Sequence, residues 1–308
     1  MSATPRKGRL LSPLLLWFMG TMILANIAAQ MVFPLQSLYV QELGASVEQI
    51  GLFLTLSAIA PLFLQLLGGW LSDAAGRLQA IAMGSVAGAT AYLFYILAPS
   101  WQWLLPASVL SAMAFAFVGP SFEAFIAQES TEETRGRVYG VTSTMYMVVN
   151  IVGPILGGAI AQGRSFRAMF VVAFGLYSSA AIIRVIMARV ASRKSRGAGD
   201  GRAKPTFSGF RQSLAAVLGL ITAGGLVTWI FLSDGVRDVT FGLTDQLMPV
   251  YLENEMGLTL MQIGSLQSIS AAVAMALMSP AGWLSDKKGE RVGIVGGFAL
   301  IAVGWSMF

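Results

Sequence analysis

GGWLSDAAGR at residues 68–77 and AGWLSDKKGE at residues 281–290 stand 213 positions apart in the chain. They match at Gly69/Gly282, Trp70/Trp283, Leu71/Leu284, Ser72/Ser285, Asp73/Asp286 and Gly76/Gly289. The same offset lays QELGASVEQIG (41–51) on NEMGLTLMQIG (254–264), pairing Glu42, Gly44, Gln49, Ile50 and Gly51 with Glu255, Gly257, Gln262, Ile263 and Gly264. One gap-free register serving two separated motifs is the mark of a duplicated unit.

What surrounds the motifs says what kind of unit is duplicated. The 308 residues are 56% hydrophobic and 11% charged, against roughly 25% charged in an ordinary soluble domain. A bilayer core about 30 Å thick needs roughly 20 apolar residues per helical crossing. Such stretches recur at 11–40, 50–71, 78–98, 101–127, 138–162, 166–188, 225–252, 262–284 and from 292 onward, nine in all, the last still apolar at Phe308. The expected fold is an all-α integral membrane protein of two parallel-repeat bundles. Six helices occupy 1–190, a cytoplasmic linker with a surface helix at 210–221 occupies 191–222, and about three helices of an incomplete second bundle occupy 223–308. An even number of crossings separates the repeated motifs, so both halves run the same way through the membrane and face each other across a midplane cavity.

With Cys 0 and His 0, thiol chemistry, disulfides, histidine acid–base catalysis and the usual zinc sites are excluded. No cofactor and no metal is expected, and no Gly-x-x-x-x-Gly-Lys-Ser/Thr phosphate loop occurs. The net charge of +5 is scattered over short loops without interleaved aromatics, so it does not read as a nucleic-acid surface. It reads as topology instead. With the N-terminus inside, sixteen of the twenty Lys and Arg residues fall on cytoplasmic segments, Arg6, Arg77, Arg135, Arg137 and Lys287 among them. The expected setting is a cytoplasmic membrane, crossed many times by a monomer in the lipid bilayer.

Read on their residues, Gly69, Asp73, Gly76 and Arg77 form Gly-x-x-x-Asp-x-x-Gly-Arg between the second and third spans, and Gly282, Asp286 and Gly289 repeat it between the eighth and ninth. Glycine permits a tight inter-helix turn, and the aspartate suits the positive end of a neighbouring helix. The chain here resembles the major facilitator superfamily, whose hallmark is this loop. Gly153, Pro154, Gly157 and Gly158 (GPILGG) are similar to the helix 5 motif of drug/proton antiporters. Val149 stands where that motif has one more glycine, and the antiporters' helix 4 motif with its intramembrane Arg is missing from 101–127. The resemblance implies secondary transport by alternating access rather than an enzyme, with twelve helices in the complete pattern, so that three and part of a fourth would follow Phe308. It also implies that Asp73 faces a helix of the second half, and that Asp286 faces the start of the fifth span near Arg135 and Arg137.

Ionisable groups inside spans are expensive and mark cavities or partners. Glu123 is expected to pair with Arg135 or Arg137. Asp234, Arg237 and Asp238 share one side of the seventh span, either as an internal ion pair or with Asp238 as a desolvated, protonatable group; Asp245 lies nearer the outside. Asn26, Gln30 and Gln36 could line the cavity with uncharged hydrogen-bonding groups. The expected partners are a small-molecule substrate and protons, in efflux of drug-like compounds. Uptake or facilitated diffusion of a sugar, organic acid or other metabolite is the alternative. A membrane-embedded enzyme or lipid scramblase would need a nucleophile, a metal cluster or a lipid-facing polar groove, none of which shows in the sequence.

Overall fold

The computed structural model describes residues 13–130, 132–195, 219 and 224–306, and every regular element among them is helical. The expected linker from 196 onward and the surface helix at 210–221 lie outside the described residues. The helices are α1 (Pro13–Val32), α2 (Gln36–Glu42), α3 (Val47–Ala75), α4 (Arg77–Leu97), α5 (Leu104–Glu129), α6 (Glu132–Gly163) and α7 (Phe166–Ser195). After these come α8 (Gly225–Asn254), α9 (Leu260–Lys288) and α10 (Glu290–Ser306). The first expected span is thus α1 and α2 joined through a 3-10 turn at Phe33–Leu35, where Pro34 contributes no N–H to the α-helical ladder.

Among the described residues, seven helices have the length and hydropathy to cross a membrane. Two of the nine expected spans fall outside that set. The apolar part of α10, Arg291–Gly304, is shorter, and α8 carries Asp234, Arg237, Asp238 and Asp245. With 30 residues at about 1.5 Å each, α8 is nevertheless long enough to cross.

Lipid tails are as apolar as leucine, so close van der Waals approach rather than water exclusion holds such helices together. Glycines set the approach. A Cβ at Gly68 of α3 would meet the Ala116 carbonyl of α5, one at Gly84 of α4 would meet Phe117 Cβ of α5 at 2.9 Å, and one at Gly88 of α4 would meet the Tyr177 ring of α7. α1 packs between α6 and α7, and α4 between α5 and α7. Two apolar clusters fill this bundle. One, around Met31, Tyr39, Tyr95 and Phe170, lies toward the Glu42 end; the other, around Phe18, Ile81, Phe122 and Val138, lies toward the Arg77 end.

The duplication is visible atom by atom. At the start of α3, Ser46 N donates to Gln49 Oε1 (3.0 Å) and Gln49 N to Ser46 Oγ (3.4 Å). At the start of α9, Thr259 N donates to Gln262 Oε1 (2.8 Å) and Gln262 N to Thr259 Oγ1 (3.3 Å). Both are capping boxes, which satisfy two otherwise orphaned donors of a helix N-terminus. Each of these helices also ends at a single glycine in the left-handed region, Gly76 at φ 99° and Gly289 at φ 89°, where a side chain would be strained. The hallmark loop is therefore almost entirely helical, with one residue turning the chain.

Candidate functional site

Four residues apart on a helix means one face, and α6 uses two such faces. Gly153 and Gly157 are turned to α1, where an added Cβ would strike Gln30 and the Met31 carbonyl. Gly158 is turned to α9, where a Cβ would come within 2.6 Å of the Leu260 carbonyl, and Gly264 of α9 sits against the Pro154 carbonyl. The sequence-defined motif thus places α6 in backbone contact with α1 on one side and with the first helix of the second repeat bearing a capping box on the other.

A second junction lies at the Glu42 end. Gln41 Nε2 donates to Asn254 Oδ1 (2.9 Å) and Asn254 Nδ2 to Gln41 Oε1 (3.4 Å). These two residues are 213 positions apart, the offset of the repeat. A residue that touches its own repeat mate reciprocally lies on the axis relating the two units, as in an isologous dimer contact. Gln162 Oε1, accepting from Met261 N at 2.9 Å, adds a third link at the same end.

Toward the Arg77 end the halves part. The buried residues of α9, Ile263, Gly264 and Ser268, all lie in its first part, and Asp286 is exposed. The expected contact of Asp286 with Arg135 and Arg137 is not made: no ion pair among the described residues joins them, and Arg135 Nη2 donates instead to the Ala127 carbonyl at 3.2 Å. The physical reason is the divergence of α9 from α6. Glu123 is likewise exposed and forms no ion pair with Arg135 or Arg137; its backbone carbonyl accepts from Tyr139 Oη. Arg77 ties α4 to α5 through the Ala124 carbonyl (2.5 Å) and Gln128 Oε1 (2.8 Å). The side chains of Asp73 and Asp234 lie outside the described residues, as does any structural account of Gly69 beyond its place in α3.

Between α1, α5 and α6 runs a narrow cleft with about 10 Å³ of interior space, enough for a single water molecule, walled by Met19, Met22, Asn26, Phe122, Met145 and Tyr146 among others. Asn26 lines this cleft, which lies within the first bundle rather than between the halves. Its Nδ2 donates to the Met22 carbonyl at 2.7 Å. Gln30 instead bridges to Asn150 Oδ1 of α6 (2.5 Å), and Gln36 turns into the bundle to bond Tyr95 Oη at 3.0 Å. The expectation of Asp238 as a desolvated acid is corrected: its side chain is 71% exposed and pairs at 3.0 Å with its neighbour Arg237. One residue along a helix points the next side chain roughly 100° away, so only the long Arg reaching back makes that pair. Asp245 is exposed.

Sequence reading passed over Arg184 of α7, which is 2% exposed. It reaches Thr21 Oγ1 (3.0 Å), the Thr21 carbonyl (3.2 Å), Ser85 Oγ (3.0 Å) and Met22 Sδ (2.8 Å), and its guanidinium lies 5.7 Å from the Phe18 ring centre. The available signal was its position as one of two arginines inside apolar spans, the other being Arg237. The Gln41–Asn254 pair was also legible, because both positions carry carboxamides at the repeat offset.

Known proteins agree with this geometry. The chain is 28% identical over 178 residues to the multi-drug resistance efflux pump PmrA of Streptococcus pneumoniae (55% of this chain, 43% of that one). It is 30% identical over 156 residues to a Na(+), Li(+), K(+)/H(+) antiporter of Planococcus maritimus (48% of this chain, 36% of that one). The matches therefore span less than half the length of these relatives. The solved structure of peptide transporter POT in complex with sulfate shares the fold at a TM-score of 0.61 and 14% identity, over 90% of this chain and 69% of that one. The Major Facilitator Superfamily profile runs over residues 16–308, so the same stretch that holds the duplicated caps, the paired axis residues and the glycine-faced α6 places this multi-pass membrane chain in that superfamily.

Proposed function

We propose that the chain provides the first six helices, and the start of the second bundle, of a secondary transporter that works by alternating access. Residues 1–190 and 223–308 act as the two rocking units and 191–222 as their cytoplasmic linker. The observation that carries this reading is α6: its two glycine faces let it slide on α1 and α9 at backbone distance, while the axis pair Gln41–Asn254 holds the Glu42 end shut and the Arg77 end stays apart. With the N-terminus and the Arg-rich loops in the cytoplasm, this is an inward-facing arrangement. Gly69, Asp73, Gly76 and Arg77 with Gly282, Asp286 and Gly289 form the cytoplasmic latch, and Asp286 meets Arg135 and Arg137 when that side closes.

The cargo is a lipophilic, drug-like compound exported against protons. Three methionines and two aromatic rings give the cleft a soft apolar lining with one amide, and flexible methionines let so narrow a cleft widen around a ring-bearing molecule. The names of the PmrA pump and of the cation/proton antiporter support export and proton exchange respectively. Asp245 and Glu123 are the carboxylates offered for the proton. A liposome assay tests this: purified protein, an imposed pH gradient, a fluorescent lipophilic probe and a pH-sensitive dye. Probe movement coupled to dye signal, lost with a protonophore, supports the reading; probe flux equal to that of protein-free liposomes would overturn it. Monovalent cation/proton exchange, the activity named for the Planococcus relative, is the second reading and would show as a dye signal elicited by Na(+) or K(+) without any probe.

A further inference from the structure

Two polar atoms near the Glu42 end are buried without a partner. Among the described residues, Ser37 Oγ of α2 and Gln246 Oε1 of α8 form no hydrogen bond, and Ser37 is only 1% exposed. Helical spacing puts both on the seam where the halves meet. Gln36 bonds Tyr95 of α4 and Tyr39 packs on Phe170 of α7, so that side of α2 faces its own bundle. Ser37 and Gln41, four residues apart, share another side, and Gln41 bonds Asn254 of α8. On α8, Gln246, Val250 and Asn254 recur every four residues, and Val250 is buried in the apolar cluster around Tyr39 and Phe170. The seam is thus bonded at its outer rim, with the two unpartnered atoms about one and two turns further in.

A hydroxyl in a helix commonly escapes such isolation by donating to the carbonyl four residues back, as Thr55, Thr90, Ser108 and Thr142 do here. For Ser37 that carbonyl belongs to Phe33, in the 3-10 turn whose carbonyls leave the α-helical line. The membrane interior supplies no water in exchange, so each unpartnered atom raises the free energy of the shut arrangement. When α2 and α8 separate, the seam opens to water and both atoms are solvated, so the cost falls on the shut state alone. From this we infer that Ser37 and Gln246 weaken the closure of the Glu42 end on purpose: they offset the Gln41–Asn254 bonds and the apolar contact of Val250, and so keep that end able to reopen in every cycle. The inference rests on the reading of the Glu42 end as one gate of an alternating-access transporter, and it is independent of which cargo is carried.

The test uses the whole chain in nanodiscs, with spin labels on cysteines introduced at Ala45 and Leu258, and reads the ratio of short (shut) to long (open) distances. It is run on the otherwise unaltered gate and on a Gln41→Ala background, which cuts the rim pair and raises the open share. Ser37→Ala and Gln246→Leu each remove an unpartnered atom and keep the apolar bulk, and each should raise the shut-to-open ratio about 3-fold or more. Ser121→Ala is the control. Its Oγ is also unpartnered and the residue is 0% exposed, but it lies on α5, which packs against α3 and α4 within the first bundle, so the ratio should not change. A change that merely damages the fold would lower the ratio or blur both distances, the opposite of the expected rise. An unchanged or lowered ratio in either Ser37→Ala or Gln246→Leu overturns the inference and leaves the gate standing; so does an equal rise in Ser121→Ala. One distance in every variant, Gln41→Ala included, would mean that this end does not open, and the alternating-access reading would fall together with the inference.

Discussion

At Gly157 a single hydrogen stands where any other residue would place a carbon against the Met31 carbonyl of α1. Overpacking by a methyl group costs about 1–3 kcal/mol when side chains can shift, and backbone on both sides shifts least. Gly157→Ala is therefore expected near the upper end of that range. In thermal unfolding of the detergent-solubilised protein it should lower Tm by several degrees, whereas Gly163→Ala, where a Cβ meets nothing within 4 Å, should leave Tm within error. Equal effects of the two would mean that the α1–α6 contact is not as close as described. Gly158→Ala makes a sharper case, because its obstacle is the Leu260 carbonyl of the second repeat rather than a helix of the first bundle. That variant should lose transport more than stability. The contrast between the two glycines separates packing within a bundle from motion between bundles.

At the scale of elements, the short α2 and the end of α8 meet around Gln41 and Asn254, and two carboxylates flank that meeting point. Glu253, just past the apolar stretch of α8, is held above the usual carboxylate value of 4.5, first by burial and then by the charge of Glu42. Arg167, on α7, is the cation near Glu42. The sign follows from linkage: a raised value means that the closed arrangement favours the protonated form, so closure is strongest at low pH and weakens as pH rises from about 4.5 upward. Lowering the pH on that side should lengthen the time the Glu42 end stays shut, and Glu253→Gln should weaken the dependence while leaving the share that Glu42, also raised by burial, contributes. A chain without cysteine makes the measurement clean, because fluorophores on cysteines introduced at Ala45 and Leu258 label nowhere else. A pH response unchanged in Glu253→Gln would assign it to other groups. The elements themselves were legible in advance. Repeat offset, capping-box residues and turn glycines are local chemistry, written in consecutive residues. What the sequence could not show was which long-range neighbour each polar group meets: Gln36 turns to Tyr95 and Arg184 to Thr21 and Ser85, both set by how helices far apart in sequence come together.

For the molecule as a whole, the duplication makes a demand that neither half makes alone. Repeat mates that touch at one end, as Gln41 and Asn254 do, lie on the symmetry axis there, and rocking of the two units about a pivot midway along that axis must separate them as the opposite ends approach. Asp286 is then not a misplaced latch but the open half of one, exposed because α9 diverges from α6 toward the Arg77 end. Paired spin labels should report this as anticorrelated distances. Between labels at Ala45 and Leu258 the distance should be short without cargo and lengthen with it; between labels at Gly136 and Lys287 it should do the reverse. Asp286→Asn should weaken only the second of these changes, by removing the charge that Arg135 and Arg137 would attract, and should leave the cargo-free distances as they were. A pair of distances that rise and fall together would instead describe a bundle that breathes as a unit, and the rocking assignment, with the roles given to the two glycine faces of α6, would fall with it.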